Sequence, residues 1–216
     1  MTFPTPGWDL QGTGGRQGLA TDSQGRSQWA LHSIGNGGDG WSRMRYSLYT
    51  FNGHAAAWTN IKVKARGAPD GGKNSNAYLI QTKGQYNNDA AVQDGTKDEV
   101  DIWEYYGGRN DATYNIFRRG TTPSGYPKSY SVSDAYSQAY TYEIILDNAK
   151  RTLEYNLYNE AGSRVGHLVE TDSAKVPSEA MELFLGIWDC RGNSWCPGSF
   201  NGDSWMGVFE VYVKGC

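Results

Sequence analysis

Asp98-Glu99-Val100-Asp101-Ile102-Trp103-Glu104-Tyr105-Tyr106-Gly107 is the stretch on which the reading of this chain turns. Four carboxylates fall within seven residues, separated by the strand-forming Val100, Ile102 and Trp103. Side chains alternate along a strand, so Glu99 and Asp101 share a face. Glu104 lies five residues beyond Glu99 and would point the other way in a regular strand. One extra residue near Ile102-Trp103, a β-bulge, returns it to the face of the other two. The run therefore predicts a bulged strand with Glu99, Asp101 and Glu104 in line on a concave face. An exposed acidic edge strand is the plain alternative, since charges protect sheet edges. Val100, Ile102, Trp103, Tyr105 and Tyr106 are too apolar for that. A calcium loop carries Gly, Asn and Asp at alternating positions, whereas this run has no Gly before Gly107.

Folding gains nothing from crowding like charges, and burying them without partners costs several kcal/mol each. Lys97 is the one cation close by in sequence. Chemistry does gain from it. Two carboxyl groups facing one cleft can divide their roles, one ionised and nucleophilic, the other protonated and acidic. This is the arrangement that cuts a glycosidic bond, and the retaining form needs the two about 5–5.5 Å apart.

The rest of the chain reads as strands. Ala77–Gln81, Tyr142–Leu146, Leu153–Tyr158 and Val165–Glu170 fit the strand template, and Met206–Val213 is a final strand. In that last strand regular alternation sets Val208, Glu210 and Tyr212 against Phe209, Val211 and Val213. Residues 1–40 are Gly-rich and polar and predict early strands joined by long turns. Gly67-Ala68-Pro69-Asp70-Gly71-Gly72 is a turn, Gln85 to Thr96 is a loop that delivers the chain to the acidic run, and Ser173–Glu179 makes a short turn. Sustained helical periodicity is hard to find. The 216 residues fit one all-β domain spanning 1–216, with no repeats.

Composition narrows the partners. A net charge of −3 argues against nucleic acid and anionic membranes, both of which attract basic surfaces. No apolar run of about 18 residues is present to span a bilayer. The 8 Trp and 15 Tyr suit the stacking of aromatic faces on sugar rings, although a β-core uses such residues too. Of the 3 Cys, Cys190 and Cys196 are close enough to bridge, and Cys216 is odd. A bridge there would staple a loop beside Trp188 and Trp195 and indicate an oxidising compartment; two reduced thiols are the alternative. His32, His54 and His167 lie on unrelated segments without metal-ligand spacing and read as packing or surface residues. Arg118-Arg119 could contact a charged sugar, although paired Arg on a strand usually has one member facing solvent.

The acidic run resembles the Glu-x-Asp-x-x-Glu signature of glycoside hydrolase family 16. The likeness extends from about Trp58 to the C-terminus. It takes in the strand from Trp58 to Ala65, Tyr114-Asn115-Ile116-Phe117 after the motif, and Tyr140-Thr141-Tyr142 with its hairpin partner Leu153–Tyr158. Leu185-Gly186-Ile187-Trp188-Asp189, with Trp195 and Gly198-Ser199-Phe200-Asn201-Gly202, is similar to the family's cleft-closing loop. The resemblance implies a concanavalin-like jelly-roll sandwich of two curved antiparallel sheets. It implies Glu99 as nucleophile, Asp101 as its assistant and Glu104 as acid/base. It further implies substrate contacts from Asn115, Trp188 and Trp195, and Trp103 is expected to line the cleft from its place at the bulge of the acidic run. No cofactor is implied for catalysis, and Glu210 lies where the family often has an acid at a structural calcium site. Departures are the missing Trp-Pro before the motif, where Asp94-Gly95-Thr96-Lys97 stands, and Phe117 where many relatives have His.

The expected function is that of a secreted, monomeric, retaining endo-β-glycoside hydrolase acting on a β-1,3 or mixed β-1,3/1,4-glucan. The alternatives are a marine galactan (agar, porphyran or carrageenan) hydrolase and a glucan transglycosylase. A non-catalytic carbohydrate-binding domain of the same architecture is the reading from another class, because fold does not fix function.

Overall fold

The computed structural model describes residues 8–12, 17–34, 42–47, 58–81, 98–177 and 181–215. The regular elements among them are strands: β1 (Trp8–Gly12), β2 (Gln17–Thr21), β3 (Ser27–Ser33), β4 (Ser42–Ser47), β5 (Trp58–Arg66), β6 (Lys73–Gln81), β7 (Glu99–Tyr106), β8 (Asp111–Phe117), β9 (Lys128–Ser131), β10 (Tyr140–Asp147), β11 (Thr152–Tyr158), β12 (Arg164–Glu170), β13 (Met181–Asp189) and β14 (Ser204–Gly215). They form two seven-stranded sheets with antiparallel pairing throughout. The first has the order β1-β4-β13-β6-β7-β8-β9 and the second β12-β11-β10-β5-β14-β3-β2. This is the jelly-roll sandwich that the resemblance implies. The proposed loop Gln85–Thr96, His54 and Cys216 lie outside the described residues.

Period-two alternation builds the core. Ile61, Val63 and Ala65 of β5, Ala77 and Leu79 of β6, Tyr142, Ile144 and Leu146 of β10, and Leu183, Leu185 and Ile187 of β13 all turn inward and are buried. Aromatic rings tie one sheet to the other. Trp103 of β7 stacks on Tyr142 of β10 with ring centroids 4.7 Å apart, and Tyr114 of β8 stacks on Tyr155 of β11 at 4.6 Å. Many of the aromatic residues are thus spent on the interior.

Trp103 is therefore a correction to the sequence reading. Its side chain is wholly buried between the sheets and does not line a cleft. The final strand needs a second correction. Met206, Val208 and Val211 are all buried, while Glu210 and Tyr212 are exposed. Pairing with β5 slips by one between Val208 and Glu210, so a bulge at Phe209 breaks the regular alternation assumed for this segment.

The expected turn after β5 holds the site end of the sandwich together. Backbone bonds run from Gly72 N to Pro197 O (2.7 Å), Cys190 N to Gly72 O (2.9 Å) and Phe200 N to Gly71 O (3.1 Å). Gly107, which ends the acidic run, passes so close to the same turn that a Cβ would sit 2.0 Å from Asp70 O. Gly198 combines a positive φ of 96° with a similar approach to Gly71. The loop after β13 is thereby docked on the end of β7.

Candidate active site

The strand β7 carries the expected bulge. Against β8, Asp101 pairs with Asn115 and Glu104 with Thr113, so three steps on one strand match two on the other. Against β6, Tyr78 pairs with Asp101 and Ala77 with Trp103, which leaves Ile102 as the extra residue. Ile102 and Trp103 consequently both face the core, along with Val100 and Tyr105. Glu99, Asp101, Glu104 and Tyr106 are left together on the other face. The three acids named from the sequence thus form one row, with Asn115 across from Asp101 and Phe117 across from Glu99.

Asp98, the first acid of the run, is not part of the row. It is buried, pairs with the Arg118 guanidinium and accepts from Arg119 N at 3.0 Å. Arg118 Nε also donates to Ala174 O at 3.0 Å. Arg118 is thus an anchor for the start of β7 rather than a free sugar contact, and its partner was hidden by a separation of 20 residues.

The row is electrostatically uneven. Burial first, then the carboxylates of Glu104 and Glu99, push the Asp101 carboxyl well above the usual aspartate range; a hydrogen bond with Glu99 acts in the same direction. Burial also raises Glu104. Two donors oppose that shift: Asn74 Nδ2 to Glu104 Oε1 at 2.9 Å and Tyr106 OH to Glu104 Oε2 at 3.2 Å. Such a site can keep one carboxyl protonated while another is ionised, which is the division of labour that acid-assisted displacement requires.

This arrangement costs stability. The folded chain holds the Asp101 proton more tightly than the unfolded chain, where the pKa is about 3.9. Stability from this group is therefore full below that value and is lost as pH rises through the raised folded-state value. Asp101→Asn should remove the loss. We expect it to melt higher than the parent at pH 7, by roughly 2–4 °C per kcal/mol recovered, with the gap narrowing towards pH 4. Thermal melts across that range measure it, and a variant that melts lower than the parent at pH 7 would contradict it.

Beyond Glu104 the same face becomes aromatic. Tyr106 lies 5.5 Å from Trp195, which lies 5.7 Å from Trp188, ring centroid to centroid. Trp188 is half-buried, whereas Trp195 is 46% exposed. A Cys190–Cys196 disulfide closes the loop that carries Trp195. Of the sequence candidates, Asn115, Trp188 and Trp195 lie on or beside this face, and Trp103 does not. Asn74 and Tyr106 were missed. Tyr106 had a signal, since it stands two residues after Glu104 on the same strand face. Asn74 had none, because only the β6–β7 register brings it to Glu104.

Glu210 is the acid that the resemblance sets at a structural calcium position. It is exposed on β14, and no group of three His, Cys, Asp or Glu suited to a metal ion occurs among the described residues. His32 is buried and stacked on Trp205 at 4.0 Å, with Nε2 3.2 Å from Asp203, and His167 lies 3.4 Å from Glu154. Neither is near the row in sequence or strand pairing. No described helix is long and apolar enough to cross a membrane.

The model of glycosyl hydrolases family 16 matches residues 43–204. No curated protein matches the chain in sequence. Among solved structures, an apo Crh5 transglycosylase superposes with a TM-score of 0.70 at 17% identity, covering 100% of this chain and 81% of that one. A β-glucanase from Bacillus licheniformis gives 0.67 at 15% identity, covering 100% and 95%. A laminarinase from Rhodothermus marinus gives 0.62 at 16% identity, covering 97% and 91%.

Proposed function

The chain belongs to glycosyl hydrolases family 16, and from that premise we propose that it is a retaining endo-β-glycanase acting on a β-1,3 or mixed β-1,3/1,4-glucan. The observation that carries the proposal is the bulge at Ile102, which puts Glu99, Asp101 and Glu104 on one face of β7. In this mechanism Glu99 attacks the anomeric carbon while Glu104 protonates the departing glycosidic oxygen. The resulting glycosyl–enzyme ester is cleaved by water, which Glu104 deprotonates as it acts in reverse. Asp101, hydrogen-bonded to Glu99 and readily protonated, steadies the nucleophile without adding a full charge beside it.

The substrate class is supported by the engagement of Arg118 with Asp98 and Ala174, which removes one cation that could have paired with a sulfate. The β-glucanase and laminarinase among the structural relatives point the same way. Transfer to a sugar acceptor instead of water is the second reading. It is favoured by the exposed Trp195 beside Trp188, a platform on which an acceptor ring can stack, and by the likeness to a transglycosylase. The disulfide is consistent with secretion into an oxidising compartment.

Parallel digestion of laminarin, lichenan, agarose, porphyran and carrageenan tests the proposal, with reducing ends counted and the first product anomer read by NMR. Cleavage of laminarin or lichenan with retained configuration is expected. Cleavage of a galactan alone would overturn the substrate, and an inverted anomer the mechanism. Oligosaccharide binding without any release of reducing ends or transfer products would point to the non-catalytic domain.

A further inference from the structure

Glu104 is held from both sides. Its two carboxylate oxygens each accept one hydrogen bond, from Asn74 on β6 and from Tyr106 on its own strand. A carboxylate with both oxygens engaged has its plane fixed, which matters for a group that must present a proton to one particular oxygen of the substrate. Both donors are uncharged. Burial, followed by the neighbouring Glu104 and Asp101 carboxylates, drives the Tyr106 hydroxyl far up from its ordinary range, so it keeps its proton and serves as a donor. The Tyr106 ring is itself fixed by Trp195 at 5.5 Å and by the Arg109 guanidinium at 5.7 Å. Trp195 sits on the loop closed by the Cys190–Cys196 bridge, and that loop is bonded to the turn beneath β7.

We infer that Asn74 and Tyr106 are positioning residues, which orient Glu104 and favour its charged form, and that the disulfide-closed loop keeps Tyr106 in place through Trp195. The inference rests on the reading of Glu104 as acid/base. It adds the residues that govern when Glu104 gives up its proton. A donor to a carboxylate stabilises the ionised state, so it acts against the burial that raises Glu104. The chain thereby lets Glu104 alternate between acid and base, instead of leaving it locked in the protonated form. Asp101 and Glu99 share β7, and Tyr78, Asn76, Thr113 and Asn115 flank the row on β6 and β8. Arg109 is committed to Asp111, with Nε 2.6 Å from Oδ1.

The test is a pH titration of the glutamate side-chain carboxyl carbons by 13C NMR, with the Glu104 signal assigned by its loss in Glu104→Gln. Tyr106→Phe retains the ring and its contact with Trp195 but removes the hydroxyl. Its Glu104 signal should titrate about one pH unit higher, the shift expected on losing one hydrogen bond to a charged group. Asn74→Ala should move it the same way, and Trp195→Ala should do so by less. The basic limb of kcat/KM on laminarin should follow the NMR shift. If folded Tyr106→Phe and Asn74→Ala both titrate like the parent, the inference is overturned and the two residues merely pack. An unmoved signal for Trp195→Ala alone would overturn the part assigned to the loop. The functional reading fails by a different result, a Glu104→Gln enzyme that still turns over, so the two failures cannot be confused.

Discussion

Glu99→Gln and Glu104→Gln should each lower turnover by about a thousand-fold or more, roughly 4 kcal/mol of barrier, while both proteins stay folded. Glutamine matches glutamate in shape, so the packing of β7 is undisturbed. It can neither attack an anomeric carbon nor give and take a proton. Both side chains lie on the face of β7 turned away from the core, so the loss is chemical rather than structural. Asp101→Asn should be milder, because an amide still donates to Glu99 and the native carboxyl is already pushed towards its protonated form. Steady-state rates on laminarin or lichenan, with thermal melts as the control for folding, decide the matter. A folded Glu99→Gln or Glu104→Gln enzyme with near-parental kcat would refute the assignment.

The fold and the acidic row were legible because each rests on short-range pattern. Alternation along β10, β11 and β12 shows in local sequence, whereas Leu185–Asp189, expected in a cleft-closing loop, is the end of β13; the spacing of Glu99, Asp101 and Glu104 admits one face only if a residue bulges out. What was hidden depended on distant partners. Asp98 stands in the same acidic run, and nothing local shows that Arg118 is brought against it. Asn74 meets Glu104 only through the register of β6 with β7. Bulges mislead in a second way. A bulge that aligns the acids also turns two consecutive residues inward, so Trp103, sited in the middle of the functional motif, belongs to the core. The bulge at Phe209 likewise inverts the expected face of every residue after Phe209 in β14. A sequence reader can propose a bulge where function demands one, but nothing in Val208-Phe209-Glu210 asks for one.

Trp103→Ala should therefore damage the fold and not merely substrate affinity. The indole is completely buried, stacked on Tyr142 and surrounded by the main core cluster. Truncating a buried Trp to Ala costs about 3–5 kcal/mol, from lost transfer energy and from the cavity that remains. That is a large share of the roughly 5–15 kcal/mol that holds a typical domain together. The cavity would also lie directly behind the bulge, so the row of acids should lose its alignment and kcat should fall as stability does. Trp103→Phe separates this from a sugar-stacking role. Its ring can still pack on Tyr142, and the indole Nε1 it gives up has no hydrogen-bond partner to orphan. We expect Trp103→Phe to lose far less stability than Trp103→Ala and to keep near-parental KM. Urea denaturation and oligosaccharide kinetics on the two variants provide the comparison. A Trp103→Ala protein with unchanged unfolding midpoint and a raised KM would return this residue to the cleft.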